Sequence, residues 1–442
     1  MKTKNKTIAL VEIAIVLCSV FLVAIPAIAT EQTQEMQKAS LNTNTITTAS
    51  EDDYVLDIYG NANEDDTIDM RDLTYVKLIF FGKKPETELA DAKYDGKINP
   101  LDFIQIKLII VGKEKEITVE TFTIHEKVKV VTVHKPVKRV VILPISSGEA
   151  IRCVNAKDKV VGIGTGLTKE ASKVFFPELS KLPTVGSWFN PDCEAILSLN
   201  PDIVIADVRW PSPDKLEDKL KGSGIPVVRM GFTYPDFAIE EMEMLGYILD
   251  KRSEAGEFIE FEKECLDVIK DRTEGLSEDE KPRVYPMYSI WKTGSEGSIV
   301  HMLCVMTGGI NIAADLKGGT GGMYPTVDPE WVIEQNPEIM FRWSSPGGYI
   351  TDDTTKMKEM WEGIVNRPEL ANVAAIKEEK VYLLTTDITS RPKYFVSLAY
   401  LAKWFHPALF EDLDPEAIHR EYLERFQGMP YRGVYVYPPL EG

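Results

Sequence analysis

Two stretches of this chain repeat one another 136 positions apart. Residues 192–206 read DCEAILSLNPDIVIA, and residues 328–342 read DPEWVIEQNPEIMFR. Asp192 matches Asp328, Glu194 matches Glu330, Leu197 matches Ile333, and Asn200-Pro201 matches Asn336-Pro337. Each copy predicts a short helix, an Asn-Pro turn and an apolar strand. Proline falls just past the helix because it cannot continue one. The runs Ile203-Val204-Ile205 and Ile339-Met340-Phe341 are continuously apolar, as parallel strands covered on both faces require. One α/β unit used twice predicts two similar lobes with a cleft between them, and ligands bind at such junctions.

The chain has 442 residues, room for two or three domains with sizeable cores. A formal net charge of −19 argues against a nucleic-acid binder, which needs a basic face. Lys2, Lys4 and Lys6 precede an apolar run from Ile8 to Ala29 that ends in Ala27-Ile28-Ala29. This is the pattern of a secretory signal, and the run is also long enough to remain as an anchor. Glu12 favours cleavage, and the lack of a small residue before Cys18 argues against a lipid anchor. The remainder is expected to be extracytoplasmic. Cys153, Cys193, Cys265 and Cys304 are scattered, which predicts buried apolar residues rather than a readable disulfide framework. The five histidines show no metal-ligand spacing, so no zinc centre is expected.

Residues 30–52 are polar and read as a linker. A second repeat, with a period of 30, fills 54–113: Asp65 matches Asp95, Ile68 matches Ile98, Asp72 matches Asp102 and Gly82 matches Gly112. Each unit is a loop rich in oxygen side chains followed by a helix closed by glycine. That alternation is how an EF-hand-type loop wraps calcium. Candidate ligands are Asn61, Asn63, Asp65, Asp69 and Asp72 in the first loop, with the Thr67 carbonyl. In the second they are Asp91, Asp95, Asn99 and Asp102, with the Lys97 carbonyl. The paired loop-helix units resemble a dockerin module. That resemblance implies bound Ca2+ and a cohesin-like receptor domain as partner. Asn61 at position 1, Asp66 at position 6 and Lys93 in the second loop depart from its pattern.

Residues 118–134 alternate apolar and polar, which predicts a hairpin. An α/β pattern begins at Arg139. It runs through strand 140–143, a helix opened by Ser146-Ser147-Gly148-Glu149 with Ser as N-cap, and strand 160–164. A long helix over 253–274, about 33 Å at 1.5 Å per residue, links the lobes. The pattern then resumes with strand 283–290, helices 298–307 and 356–366, strand 380–384 and helix 393–405. The expected fold is therefore α/β: two three-layer lobes joined by one long helix, behind a small all-α calcium-loop domain. The expected boundaries are a signal or anchor over 1–29, a linker over 30–52, the paired loops over 53–116, a first lobe over 117–235, linking helices over 236–281 and a second lobe over 282–442.

This order of elements, with Val160-Val161-Gly162-Ile163-Gly164, the Asn-Pro units and the passage Trp361–Val381, resembles the helical-backbone substrate-binding proteins of ABC importers. More narrowly it is similar to the branch that carries iron-siderophore, haem and cobalamin cargo. The resemblance implies a binding protein rather than an enzyme, a small-molecule metal chelate as ligand and an ABC permease as partner. Ligand contacts then belong on loops after the strands. In the first lobe these are Trp188, Phe189, Arg209, Trp210 and Tyr234; in the second, Tyr288, Trp291, Lys292, Trp343, Tyr349 and Arg391. Aromatic faces stack on flat ligands and arginine pairs with their acidic oxygens. The glycine-dense run Gly318–Gly322 lacks the Lys-Ser/Thr of a phosphate loop and reads as a loop beside the ligand, bringing Met323 and Tyr324. The family docks on its permease through a surface acid on each lobe, for which Glu149, Asp214 and Glu330 are candidates. Against a hydrolase stands the lack of a G-x-S-x-G elbow or placed triad. A calcium-dependent scaffold protein is the alternative from another class.

Overall fold

A computed structural model describes residues 54–121, 129–232, 235–389 and 392–440. The expected signal, the linker, Tyr234 and Arg391 lie outside the described residues. The chain divides into two compact units, one ending at Thr118 and the other starting at Val119. Among the described residues no helix is long and apolar enough to cross a membrane.

In the first unit, α1 (Met70–Phe80) and α2 (Pro100–Ile110) are built alike. Asp69 and Asn99 cap them through reciprocal capping boxes with Asp72 and Asp102. Gly82 and Gly112 close them at φ 65° and 63°, a region glycine enters without strain. Leu73, Val76, Ile106 and Ile109 form the buried face between them.

β1 (Glu116–Thr121), which runs through the unit boundary, and β2 (Lys129–His134) make a two-stranded sheet, as the alternation predicts. The first lobe holds β3 (Val140–Ile142), α3 (Ile145–Cys153), β4 (Val160–Ile163) and α4 (Glu170–Phe175). It continues with the short hairpin β5 (Gly186–Ser187) and β6 (Asn190–Pro191), then α5 (Cys193–Leu199), β7 (Ile203–Ala206) and β8 (Val227–Arg229). Its central sheet is four-stranded and parallel, in the order β4-β3-β7-β8. Ser146 does not cap α3: Pro144 takes the N-cap position and both serines lie within the helix.

Two helices follow, α6 (Pro235–Leu249) and α7 (Arg252–Thr273). The 22 residues of α7 span about 33 Å. Phe258 and Phe261 on α7 pack their rings against Phe395 and Phe426 of the second lobe.

The second lobe comprises β9 (Arg283–Ser289), β10 (Lys292–Thr293), α8 (Ile299–Met306), β11 (Ile310–Asn311), α9 (Pro329–Gln335) and β12 (Ile339–Ser345). It ends with α10 (Thr355–Val365), β13 (Val381–Thr385), α11 (Phe395–Phe405), α12 (Pro415–Glu421) and β14 (Val436–Tyr437). Its sheet runs β10-β9-β12-β13-β14, with β11 on β9. The two lobes keep separate sheets and separate cores, one around Val141, Ile196 and Val204, the other around Tyr285, Val332 and Met340.

The duplicated unit is a duplicated structure. Asn200 and Asn336 end their helices in the left-handed region, at φ 44° and 43°. Asparagine tolerates that region better than most residues. The acid after each proline then clasps the neighbouring strand. Asp202 accepts from the Arg139 amide at 2.8 Å, and Glu338 accepts from the Arg283 amide at 2.7 Å. Each arginine side chain in turn donates to a carbonyl at the helix end, Leu199 or Gln335. The repeat thus fixes how each helix-strand pair registers with the strand beside it.

Candidate functional site: the cleft between the lobes

Strand ends and following loops from both lobes face one another, as the parallel sheets dictate. At one end the lobes meet closely. Phe175 of the first lobe packs edge-on to Tyr349 of the second, with ring centroids 5.2 Å apart. A cavity of about 210 Å³ opens beside this pair, walled by Ser172 and Phe176 on one side and Ser345, Gly347, Thr385 and Asp387 on the other. Gly347 and Gly348 sit at φ 124° and 96°, and a Cβ on Gly347 would lie 2.5 Å from the Val434 carbonyl oxygen. Only glycine fits that turn.

Elsewhere each lobe carries a cluster of aromatics and cations on the loops and strand ends. In the first lobe Trp188, Phe189 and Trp210 form a run, with centroids 4.3 Å and 5.7 Å apart. Phe189 and Trp210 remain 46% and 37% exposed, large apolar surface of the kind that marks a binding site. The β5–β6 hairpin presents Trp188 and Phe189, and the loop after β7 presents Arg209 and Trp210. In the second lobe Tyr288 lies 5.3 Å from Trp343, and Trp343 lies 6.3 Å from Tyr324. The Lys292 ammonium sits over the Tyr288 ring at 5.1 Å. Burial raises the pKa of the Tyr324 hydroxyl, and the charge of Arg209, reaching across from the first lobe, partly offsets it.

The glycine-dense loop places Tyr324. The Tyr324 amide donates to the Gly318 carbonyl, and the Gly318 amide donates to the Gly322 carbonyl, each at 3.0 Å. Gly319 adopts φ 67°, and a Cβ there would fall 1.9 Å from the Tyr324 carbonyl oxygen.

Of the expected ligand residues, Trp188, Phe189, Trp210, Tyr288, Lys292 and Trp343 fall into these ring and cation contacts. Tyr349 is 3% exposed and closes the cleft with Phe175 rather than lining its open part. Trp291 turns away: it packs on the second-lobe core with the Arg367 guanidinium over its ring at 5.6 Å.

Sequence reasoning missed Arg342. It ends the apolar stretch of β12, where the first copy of the repeat has Ala206, and that break in the repeat was its one signal. Burial pulls the Arg342 guanidinium below its ordinary pKa, and Tyr288 is the group that counters the shift.

The expected docking acids separate. Asp214 and Glu330 are exposed. Glu149 is not a surface acid: it is fully buried, its carboxylate taken by Lys393 at 2.6 Å and by the Tyr422 hydroxyl at 2.8 Å. It faces inward because α3 is buried along its length.

In the paired loops the acids are partly engaged already. Among the described residues no group of three or more His, Cys, Asp or Glu is set to hold a metal. In the first loop Arg71 pairs with Asp65 at 2.9 Å and Asp69 at 3.0 Å, and Asn63 donates to Asp65 at 2.5 Å. The Asn61 amide donates to the carbonyls of Leu56 and Asp65. The Thr67 amide donates to Asp65. These donors do not fit a cation. In the second loop the Lys97 carbonyl accepts from Asn99, and Lys93 pairs with Glu116 instead of a loop acid. Asp102 is raised in pKa by burial, with Asp91 and Asp95 close enough to add to the rise. Among the described residues Asp91, Asp95 and Asp102 make no ion pair.

Two lobes of duplicated α/β design, a long joining helix and an aromatic cleft define a two-lobed solute-binding protein. The chain belongs to the periplasmic binding protein family, whose model matches residues 140–388. The uncharacterized ABC transporter substrate-binding lipoprotein YvrC of Bacillus subtilis is 26% identical over 64% of this chain and 84% of that protein. The molybdate-binding protein MolA of Haemophilus influenzae is 22% identical over 68% and 89%. The structure of the TroA-like periplasmic binding protein FepB from Veillonella parvula matches with a TM-score of 0.62 at 22% identity, covering 72% of this chain and 98% of that one.

Proposed function

We propose that this chain is the extracytoplasmic substrate-binding component of an ABC importer, and that its cargo is a metal chelate of the iron-siderophore, haem or cobalamin type. The observation that carries the reading is a pair of aromatic clusters, Trp188, Phe189 and Trp210 in one lobe and Tyr288, Tyr324 and Trp343 in the other, with the charge of first-lobe Arg209 acting on second-lobe Tyr324. Broad rings match broad rings, while a bare metal ion needs converging His and carboxylate ligands. The family and the YvrC likeness support the transport role. Exposed Asp214 and Glu330 are the acids that meet the permease. Binding, rather than catalysis, is the task of the cleft. Calorimetric titration with ferric siderophores, haem and cobalamin, each against its metal-free form, tests the reading. Heat with at least one metal-loaded form is expected, and no heat with any rejects it.

A separate reading concerns the first unit. We propose that its second loop takes calcium through Asp91, Asp95 and Asp102, drawing those carboxylates inward, and that a cohesin-like domain is its partner. What supports calcium there is the mutual proximity of three acids and the absence of a paired cation on Asp91 or Asp95 among the described residues. Calcium titration of the full chain tests it, with no heat at millimolar calcium as the refuting result.

A further inference from the structure

In a chain with formal net charge −19, several arginines of the second unit hold a carboxylate. Arg152 forks onto Glu178, Arg229 onto Glu217, and Arg272 onto Asp412. Arg342 differs. Among the described residues its guanidinium makes no ion pair and no hydrogen bond, and its Nε is shut off from solvent without an acceptor. The next residue repeats the condition: the indole Nε1 of Trp343 is also buried without an acceptor. Lys292 is the third member, with no carboxylate partner among the described residues and its ammonium over the Tyr288 ring. Tyr288 itself touches Trp343 and lies within electrostatic reach of Arg342. Two unpaired cations and an unpaired indole N–H thus surround one exposed aromatic ring at the mouth of a strand.

A buried donor left without an acceptor is costly, and more so when it is charged. Native proteins keep few of them, and each calls for a partner or a reason. From this geometry we propose that Arg342 and Trp343 are the oxygen-binding pair of the cleft, and that the cargo is a net-negative chelate whose exposed oxygens meet Arg342 Nε, Trp343 Nε1 and the Lys292 ammonium. This rests on the chelate reading above and narrows it. Neutral chelates lack the charge that would offset the desolvated guanidinium. A small free oxyanion satisfies the donors but leaves the aromatic surface on both lobes uncovered.

The test is a panel of probes titrated into the full chain and followed by calorimetry: an anionic ferric tris-catecholate, a neutral ferric tris-hydroxamate, cobalamin and molybdate. The tris-catecholate is expected to bind most tightly, with affinity that weakens as salt is raised. Arg342→Gln is expected to weaken it by about ten- to a hundredfold, and Trp343→Phe by about threefold to tenfold, since one donor to a charged acceptor is lost in each. Should Arg342→Gln fail to fold, Lys292→Met at the half-exposed rim gives the same readout, with a smaller loss and a flatter salt dependence. Tighter binding of a neutral chelate, with affinity unmoved by these variants, overturns the proposal and leaves the chelate reading standing. Binding of molybdate alone assigns the donors to a free oxyanion and overturns both. No heat with any probe, nor with haem, removes the chelate reading and this proposal with it.

Discussion

Lys393 and Glu149, 244 positions apart in the chain, meet at 2.6 Å with side chains 1% and 0% exposed. Glu149 belongs to the first lobe and Lys393 to the second, so the lobes are joined at this end by a charge pair with no access to water. The Tyr422 hydroxyl donates to the same carboxylate oxygen, and Gln427 donates to the Glu149 carbonyl. Removing one partner leaves the other buried and uncompensated, which costs about 3–5 kcal/mol. Glu149→Gln or Lys393→Met is therefore expected to lower stability by that order in denaturant titration. The double variant Glu149→Leu/Lys393→Met is expected to recover a large part of the loss. Additive losses in the double variant would show that the pair is not a coupled unit.

A second prediction concerns pH. Burial pushes the Glu262 carboxyl on α7 up to about 8, against an ordinary value of 4.5, with the Tyr394 hydroxyl the main group opposing the shift. Between those values the folded chain keeps a proton that the unfolded chain has released, so stability falls as pH rises. His419, fully buried, is pulled down to about 3 from 6.5 and acts in the opposite sense below 6.5. Glu262 therefore acts alone of the two from pH 6.5 to 8, where it accounts for a loss of about 2 kcal/mol. Chemical denaturation at both pH values reads this, and Glu262→Gln is expected to flatten the slope. An equal slope in the variant counts against it.

The glycine loop offers a third. Gly319→Ala would put a methyl 1.9 Å from the Tyr324 carbonyl oxygen on a backbone at φ 67°. The loop must shift, and Tyr324 with it. Cargo affinity is expected to fall severalfold while the melting temperature moves little, because the loop is exposed around Thr320–Gly322. Unchanged affinity would remove Tyr324 from the cleft's working surface.

Permease coupling gives a fourth. Asp214→Lys and Glu330→Lys change exposed side chains, so cargo affinity is expected to hold while uptake through the cognate permease declines. Uptake unaffected by the double reversal would assign docking elsewhere.

Calcium supplies the fifth. Asp102→Asn removes one acid of the second loop and keeps an acceptor for only one of the Lys93 and Asn99 amides, which bond to different oxygens of the carboxylate. Calcium affinity of the full chain is expected to drop about tenfold or more, as the loss of ligand charge weakens such loops. An equal drop from Asp65→Asn in the first loop would contradict the contrast drawn between the loops.

The architecture was legible because its signals are local and repeated. The Asn-Pro units forecast the turns at Asn200 and Asn336, and Gly82 and Gly112 forecast the ends of α1 and α2. The succession of strands along the chain and α7 followed from apolar runs and helical spacing. Side-chain partners were less legible, because they join distant segments. Nothing near Glu149 announces Lys393, so an acid on a predicted helix read as solvated. Ser146 met every local condition for a cap, yet Pro144 enters the helix first. Trp291 and Tyr288 looked alike in the sequence, and packing alone sends one to the core and leaves the other 42% exposed.

The duplicated scaffold has a consequence for how a guest sits. Two matching walls would accept a symmetric visitor either way round. Where the second copy has Arg342 the first has Ala206, buried in its own lobe's core, and that difference abolishes the equivalence. A chelate with one acidic flank and one greasy flank has a single comfortable pose, and it would be handed to the membrane always facing the same direction.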